Sequence, residues 1–405
     1  MKNYTRKAHY DELWGALHGD VNLIQAVIGP RQVGKTTLAL QIFERWNGPK
    51  VYETADQPNT PSSEWIASQW DKIREACNGK RRRGLLILDE VQKIPDWSGV
   101  VKKFFDEDRR FSSDIRVILL GSSALLMQRG LTESLAGRFE LHRHYQWSFK
   151  ECADCFGLDL DEYIFFGGYP GALALRDDEV RWGRYIRDSL IETVLSKDIL
   201  LLAPISKPVL LRQTFGLAVS YPAQIMSYQK MVGSLQDAGN TTTIASYIQL
   251  LSKAFFLTAL ERFSGAKLRQ KGSIPKILVF DNGLVSAMAG KAFKDVVKDT
   301  MLWGRLVENA VGAQLYFLSQ TMGAELFYWR DRDDEVDYVF KWGQKVKAIE
   351  VKTGNAVNEF PSMRRFSKRY KNVEAIVIAP EKIATEKTDK GITIKEFFDH
   401  PTLIF

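Results

Sequence analysis

The feature that most constrains this chain is a glycine-containing loop between a predicted strand and a predicted helix. Residues 21–28 form an apolar run typical of a buried strand, and residues 37–46 place apolar side chains on one helical stripe. The loop that joins them fits the pattern GxxxxGK[ST] and consists of Gly29, Pro30, Arg31, Gln32, Val33, Gly34, Lys35 and Thr36. A strand, this loop and a helix in that order predict an open α/β sheet with an anion-binding turn at its carboxyl edge.

The fixed positions of the loop each have a physical task in holding a nucleoside triphosphate. Gly29 and Gly34 let the backbone wrap closely around phosphate groups, and the N–H groups at the helix start point toward the anion. Lys35 is expected to reach the β and γ phosphates, and the hydroxyl of Thr36 is expected to bind Mg²⁺. With Thr37, the next residue of the helix, these positions form the predicted site for ATP and Mg²⁺.

Two carboxylates follow a second apolar run, where a nucleotide hydrolase needs them. Residues 85–88 predict a buried parallel strand, and Asp89 and Glu90 come directly after it. Asp89 would hold Mg²⁺ through water, and Glu90 would orient or deprotonate the attacking water. The alternative is an apolar strand that merely ends in solvated acids.

Two further positions are candidates for contact with the triphosphate. A third predicted strand, residues 117–120, is followed by Ser122, whose hydroxyl would sense the γ-phosphate at the carboxyl edge of the sheet; an ordinary strand-ending turn explains this residue equally well. Arg138 would neutralise transition-state charge as an arginine finger, in cis or in trans, or it is a surface arginine. No NKxD sequence that would select guanine occurs, which favours ATP over GTP.

As a set, these motifs resemble those of the prokaryotic AAA-type ATPases, related to the archaeal ATPase group, that carry a C-terminal domain of unknown function with a restriction-endonuclease-like fold. The resemblance covers nearly the whole chain and rests on residues 29–38, 88–97, 121–123, 135–138, 166–170 and 303–308. It implies a P-loop core with a helical lid, then a winged helix, then a mixed α/β nuclease-like domain.

Composition narrows the cellular setting and the class of partner. The net charge of +7 favours an acidic partner such as DNA. No uncharged apolar stretch reaches about 18 residues and no apolar leader follows Met1, so we expect neither a membrane span nor export. The three cysteines fit the cytoplasm; Cys152 and Cys155 form a CxxC, which is either a metal or redox pair or two packed helix cysteines.

The middle of the chain predicts a helical lid and then a helix-turn-helix. Residues 182–202 are helical in pattern and would form the lid. Residues 228–236 and 241–254 predict two helices around a glycine-containing turn, and two strand-like runs follow at residues 256–263 and 277–281. A winged helix that contacts DNA and one that contacts only protein stay open, because residues 241–254 contain a single cation, Lys253.

Near the C-terminus, two alternating runs predict a hairpin. Residues 335–340 and 345–352 read as strands, and Gly343-Gln344 suits a two-residue type II′ turn. This turn would place Asp337 opposite Glu350. Like charges directly opposed are destabilising, so the pair calls for a compensating cation, such as a divalent metal ion.

The spacing of these residues resembles the PD-(D/E)XK nuclease signature. In that signature Asp337 and Glu350 would hold Mg²⁺, Lys352 would position or activate the attacking water, and Glu308 on the preceding helix would be an additional metal ligand. No proline directly precedes Asp337, which departs from the signature. The alternatives are a solvated hairpin face with a Glu335–Lys352 ion pair, and a nuclease fold that has kept its residues without turnover.

The sequence therefore predicts four segments: a P-loop core at 1–155, a lid at 156–205, a winged helix at 206–282 and a nuclease-like domain at 283–405. The expected function is ATP binding and hydrolysis that controls DNA binding and metal-dependent DNA cleavage. The alternative is an ATP-dependent switch that assembles with itself, or binds a protein or DNA partner, and cuts nothing.

Overall fold

The computed structural model describes residues 4–77, 82–121, 127, 130–131, 133–202, 205–235, 240–265, 273–354, 360–381 and 389–405. The chain divides into two compact units, Met1–Tyr145 and Gln146–Phe405. The finer division into four segments stays a prediction. No helix in the described part of the chain is long and apolar enough to cross a membrane.

The first unit is built on a five-stranded parallel sheet in the order β2-β3-β4-β1-β5. Its strands are β1 Ile24–Ile28, β2 Lys50–Thr54, β3 Gly84–Asp89, β4 Ile115–Gly121 and β5 Phe139–Arg143. The helices around it are α1 Lys7–His18, α2 Lys35–Arg45, α3 Ser63–Cys77 and α4 Trp97–Arg110.

The central strands of this sheet are fully buried, as their largely apolar runs predict for a parallel sheet that is covered on both faces. Every residue of β1, β3 and β4 is buried. Apolar side chains of α1 and α2, including Leu13, Leu38 and Ile42, pack with Val27 and Ile118 of the sheet in one core cluster. The three predicted strands and the predicted helix of the nucleotide site are thereby confirmed.

The second unit begins with helices. These are α5 Phe149–Phe156, α6 Leu160–Phe166, α7 Pro170–Leu173, α8 Glu179–Tyr185 and α9 Ile199–Leu202. Between α8 and α9 the helical path continues through two wider π-type segments, Ile186–Ile191 and Val194–Asp198. The predicted helical stretch at 182–202 is confirmed. Cys152 and Cys155 both lie on α5, in line with the alternative of two helix cysteines for the CxxC.

Helices and a small antiparallel sheet alternate next. The elements are α10 Pro208–Ser220, β6 Gln224–Ile225, α11 Tyr228–Ser234, α12 Thr241–Lys253, β7 Leu257–Leu260 and β8 Lys276–Val279. The three strands form a sheet in the order β6-β8-β7, so that β8 lies in the middle. The predicted turn between the two helices lies outside the described residues.

The last part of the chain is a mixed five-stranded sheet with helices on both faces. Its elements are α13 Asn282–Ala289, α14 Phe293–Lys298, α15 Thr300–Met322, β9 Glu325–Asp331, β10 Asp334–Trp342, β11 Lys345–Val351, α16 Pro361–Arg369, β12 Val373–Ala379, β13 Asp389–Thr393 and α17 Ile394–Asp399. Strands β9, β10 and β11 are antiparallel neighbours, and β11, β12 and β13 run parallel. Tyr338 faces α15, where its hydroxyl donates to the carbonyl of Glu308, while Val339 packs with Met363 of α16.

The hairpin of β10 and β11 has the predicted register. Tyr338 pairs with Ile349 and Trp342 with Lys345, so Gly343 and Gln344 form the turn. Gly343 has the positive φ of 58° that a type II′ turn requires at its first central position. The α/β fold class, with a parallel sheet first and a mixed sheet last, is confirmed.

Candidate functional site

The glycine loop wraps between β1 and α2 at the carboxyl edge of the parallel sheet. Gly34 caps α2 with φ of +92°, a left-handed conformation that glycine adopts without strain. Gly29 lies against the backbone of residue 144, since a Cβ atom placed on Gly29 would lie 2.0 Å from the His144 carbonyl oxygen. The structure thus explains why both positions are glycine.

Lys35 lies within the loop that it helps to form. Its ammonium group donates to the carbonyl oxygens of Gly29 at 2.9 Å and Pro30 at 2.7 Å. The side chain is almost fully buried. The positive charge is therefore held at the place where the loop would surround phosphate oxygens.

The two predicted magnesium ligands meet. The Thr36 hydroxyl donates to Asp89 Oδ2 at 2.8 Å, although 53 residues separate the two. The Tyr52 hydroxyl donates to the same oxygen at 3.1 Å, and burial together with the Asp89 charge raises the pKa of Tyr52. A hydroxyl and a carboxylate at this edge fit Mg²⁺, which takes few protein ligands and completes its shell with phosphate oxygens and water. Tyr52 is a functional candidate that the sequence reasoning missed.

Glu90 follows Asp89 in a left-handed backbone conformation with φ of +55°. The amide nitrogen of Gln92 donates to Glu90 Oε2 at 2.6 Å, so the predicted catalytic carboxylate is held by a nearby amide. Gln92 is nearly fully buried, and sequence reasoning missed it. The polar residue two positions after the carboxylate was the available signal.

Arg138 does not lie at the loop. It precedes β5, and its carbonyl accepts from the N–H of Ile24 at the amino end of β1, whereas the loop follows the carboxyl end of that strand. A strand of five residues is about 16 Å long, so Arg138 and the loop are separated by the length of the strands. The Arg138 guanidinium makes two hydrogen bonds to Asp106, of 2.7 and 3.0 Å. The expectation of a finger in cis is therefore not met. Ser122 lies outside the described residues.

Two basic residues that the sequence analysis did not single out, Arg6 and His144, contact the backbone of the loop. Arg6 donates to the carbonyl of Tyr145 at 2.9 Å and to that of Val33 at 3.5 Å. The imidazole of His144 is buried and packs on His9 with 4.2 Å between ring centroids. Burial, followed by the charge of His9, lowers the pKa of His144 well below its usual value, so this ring stays neutral beside the loop.

In the second unit, the predicted acidic residues do come together at the end of the β10–β11 hairpin. Asp337 Oδ2 accepts from the N–H of Val351 at 2.8 Å, and the Lys352 ammonium donates to Glu350 Oε1 at 2.7 Å. The second oxygen of Glu350 is buried without a hydrogen-bond partner. Burial and then the nearby Asp337 charge raise the pKa of Glu350 to about 8.

A buried lysine from β8 enters this acidic cluster. The Lys276 ammonium lies 2.5 Å from Glu308, 3.4 Å from Glu335 and 3.8 Å from Asp337. It also lies 5.0 Å from the centre of the Tyr338 ring, and its side chain is fully buried. Burial alone would lower the pKa of Lys276, but the carboxylates of Glu308 and Asp337 raise it well above its usual value, so the side chain is charged.

The structure brings a cation of the chain itself into this cluster. The Lys276 ammonium lies among Glu308, Glu335 and Asp337, and the described residues contain no group of three or more His, Cys, Asp or Glu side chains that could hold a metal ion. Metal binding by Glu308, Asp337 and Glu350 stays a prediction. The Glu335–Lys352 ion pair is replaced by pairs of Glu335 with Lys276 and of Lys352 with Glu350. Helices pack on both faces of the hairpin, while the side chains of Glu335 and Lys352 stay partly exposed.

Comparison with known proteins places this geometry in context. Residues 21–153 match the model of an AAA domain, and this match includes the loop and all five strands of the parallel sheet. Residues 157–295 and 303–397 match two domains of unknown function, DUF8612 and DUF4143 respectively. The first unit thus has an AAA-type P-loop fold.

Relatives of comparable length occur in bacteria and archaea. An uncharacterized protein of Mycobacterium tuberculosis is 28% identical over 340 residues, which are 83% of this chain and 71% of the relative. An uncharacterized protein of Methanocaldococcus jannaschii is 21% identical over 378 residues, covering 87% of this chain and 80% of the relative. Among solved structures, a Walker-type ATPase of Pyrococcus abyssi is 13% identical, with 71% of this chain and 96% of that one covered and a TM-score of 0.45.

Proposed function

We propose that the first unit binds ATP with Mg²⁺ and hydrolyses it. The observation that carries this proposal is the hydrogen bond between Thr36 and Asp89, next to a loop that already holds the Lys35 ammonium. A hydroxyl, a carboxylate and an ammonium at one sheet edge are what a magnesium triphosphate needs. The magnesium ion would neutralise charge on the phosphate oxygens when it is bound.

The residues of this chain then have distinct tasks. Lys35 gives up its two carbonyl partners and binds phosphate oxygens, while Thr36 and Asp89 would hold the metal. Once the Gln92 amide has released the Glu90 carboxylate, Glu90 orients the attacking water and accepts a proton from it. Gly29 and Gly34 supply the backbone shape that brings N–H groups to the phosphates.

Phosphate release from full-length protein tests this proposal. We expect Mg²⁺-dependent turnover of ATP in the wild type and a loss of at least about 100-fold in Lys35→Ala, since the lysine contacts the reacting phosphates. Lys72→Ala is the matched control, because that lysine lies exposed on α3 in an ion pair with Glu53. Equal rates in Lys35→Ala and the control would refute the assignment.

We further propose that the nucleotide controls binding of a partner and that DNA is the partner class. The order of α10, β6, α11, α12, β7 and β8 and the strand order β6-β8-β7 support a winged helix in the second unit. The net charge of +7 favours an acidic ligand. Fluorescence anisotropy with duplex DNA, with and without ATP, would test this: affinity should fall steeply with salt and differ between nucleotide states.

The non-cutting switch is favoured over a nuclease because Lys276 lies between Glu308 and Asp337, where the nuclease chemistry needs metal. Plasmid DNA incubated with Mg²⁺ or Mn²⁺ and ATP should remain intact. Cleavage that is lost in Asp337→Ala would restore the nuclease. Self-assembly and a protein partner are the remaining alternatives. A size-exclusion elution volume that changes with nucleotide, together with no DNA binding, would favour them.

A further inference from the structure

In the acidic cluster of the second unit, carboxyl groups outnumber ammonium groups. Four carboxyl groups, those of Glu308, Glu335, Asp337 and Glu350, lie around two ammonium groups. Lys352 is partly exposed, and among the described residues its ion pair is with Glu350. The remaining three carboxyl groups share the ammonium group of Lys276.

The backbone fixes Lys276 in its place. It begins β8, the middle strand of the small sheet, where it pairs with Ile225 on one side and Leu260 on the other. Its ammonium also donates to the backbone carbonyl of Asp337 at 3.3 Å. The strand is paired on both sides and the side chain is fully buried, so moving the ammonium into solvent would break its ion pairs and disturb the packing around it.

A divalent ion and this ammonium would compete for the same space. Mg²⁺ requires carboxylate oxygens at about 2.1 Å in near-octahedral geometry. The Lys276 nitrogen lies 2.5 Å from Glu308 Oε1 and 3.8 Å from Asp337 Oδ1, and both residues are among the three acidic positions at which the nuclease signature would hold metal. A second cation at this position would also meet the repulsion of the buried ammonium.

We propose that Lys276 is the resident cation of this cluster and that it excludes divalent metal ions from it. The ion pairs then join β8 to α15 and β10, so the cluster fastens the small sheet to the C-terminal sheet. This inference is independent of the ATPase proposal, because it concerns metal binding in the second unit and not turnover in the first.

Titration of nucleotide-free, full-length protein with Mn²⁺, followed by electron paramagnetic resonance of the free ion, tests the proposal. Wild type and Asp337→Asn should bind the same number of Mn²⁺ ions with the same affinity, since the cluster takes no metal. Lys276→Met should bind a further Mn²⁺ ion, and this gain should vanish when Asp337→Asn is added.

The matched control is Lys347→Met. Lys347 is another nearly fully buried lysine of this unit, and it pairs with Glu374 away from the cluster. This variant should bind Mn²⁺ as the wild type does, which separates a vacated cluster from a general effect of removing a buried lysine.

Two results would overturn the proposal. One is a Mn²⁺ ion in the wild type that is lost in Asp337→Asn, because it would show that metal and Lys276 coexist or that metal displaces the lysine. The other is a folded Lys276→Met variant that binds no more Mn²⁺ than Lys347→Met. The comparison of wild type with Asp337→Asn tests the proposal even if Lys276→Met does not fold.

Discussion

Asp281 is a buried carboxylate whose environment makes a quantitative prediction. It follows β8 and accepts hydrogen bonds from the N–H groups of Gly168 at 2.7 Å and Gly283 at 2.8 Å. No space remains on one side, since a Cβ atom on Gly167 would lie 2.0 Å from Asp281 Oδ1. Burial raises the pKa of Asp281 to about 7, and the two N–H donors only partly offset it.

The sign of the pH dependence follows from this raised pKa. The folded state holds the proton of Asp281 up to about pH 7, whereas the unfolded chain loses it near 3.8. Unfolding is therefore linked to proton release between these values, and stability falls as the pH rises through them. At about 1.4 kcal/mol per pKa unit, the loss is about 2 kcal/mol between pH 5 and 7 and levels off above about pH 8.

Urea unfolding of wild type and Asp281→Asn at pH 5 to 8 measures this effect. The amide cannot ionise, so the free energy of unfolding of wild type minus that of the variant should fall by about 2 kcal/mol from pH 5 to 7. Asp177→Asn, at a side chain that is 98% exposed, is the control and should give a flat difference. A flat difference for Asp281→Asn as well would mean that the carboxylate has an ordinary pKa, and the burial argument would be wrong.

Two further outcomes follow from the first unit. Gly29→Ala should lower the free energy of unfolding by about 1–3 kcal/mol in chemical denaturation, because the new methyl group must push away the His144 carbonyl; an unchanged stability would contradict that contact. Arg138→Ala should leave the ATPase rate of dilute protein unchanged, because Asp106 holds the guanidinium at the far edge of the sheet. A large loss of turnover at every protein concentration would instead place Arg138 at the nucleotide of its own chain.

Local sequence signals predicted the nucleotide site and the hairpin because both are fixed by short stretches. The loop needs glycine at Gly29 and Gly34 for backbone reasons, and a buried strand must precede it. The hairpin register follows from Gly343 and Gln344 alone, since a two-residue turn leaves no freedom in which residues face each other.

The break in the alternation of side chains along β10 could not be predicted from the sequence. The pairing of β10 with β9 shifts between Val336 and Val339, and both valines lie in the same core cluster. A bulge of this kind arises from pairing with a third strand and has no signature in the hairpin itself.

Long-range charge pairing could not be predicted from the sequence either. Lys276 lies 61 residues before Asp337 in the chain, and nothing in its own stretch marks it as a buried cation. The opposed carboxylates predicted a counter-charge, but the sequence could not indicate that the Lys276 ammonium lies beside Asp337. In the same way, the placement of Arg138 depends on the direction of β5, which only the parallel pairing with β1 determines.

The central claim, that the Gly29–Thr36 loop serves hydrolysis assisted by Glu90, is tested most directly by one single-turnover measurement. Full-length Glu90→Gln is mixed with radiolabelled ATP and Mg²⁺, collected on a filter, and its bound nucleotide is separated into ATP and ADP. We predict that this variant retains intact ATP while the wild type converts its bound ATP to ADP, since only the water-orienting carboxylate has been removed. Conversion to ADP by Glu90→Gln at the wild-type rate would contradict the account.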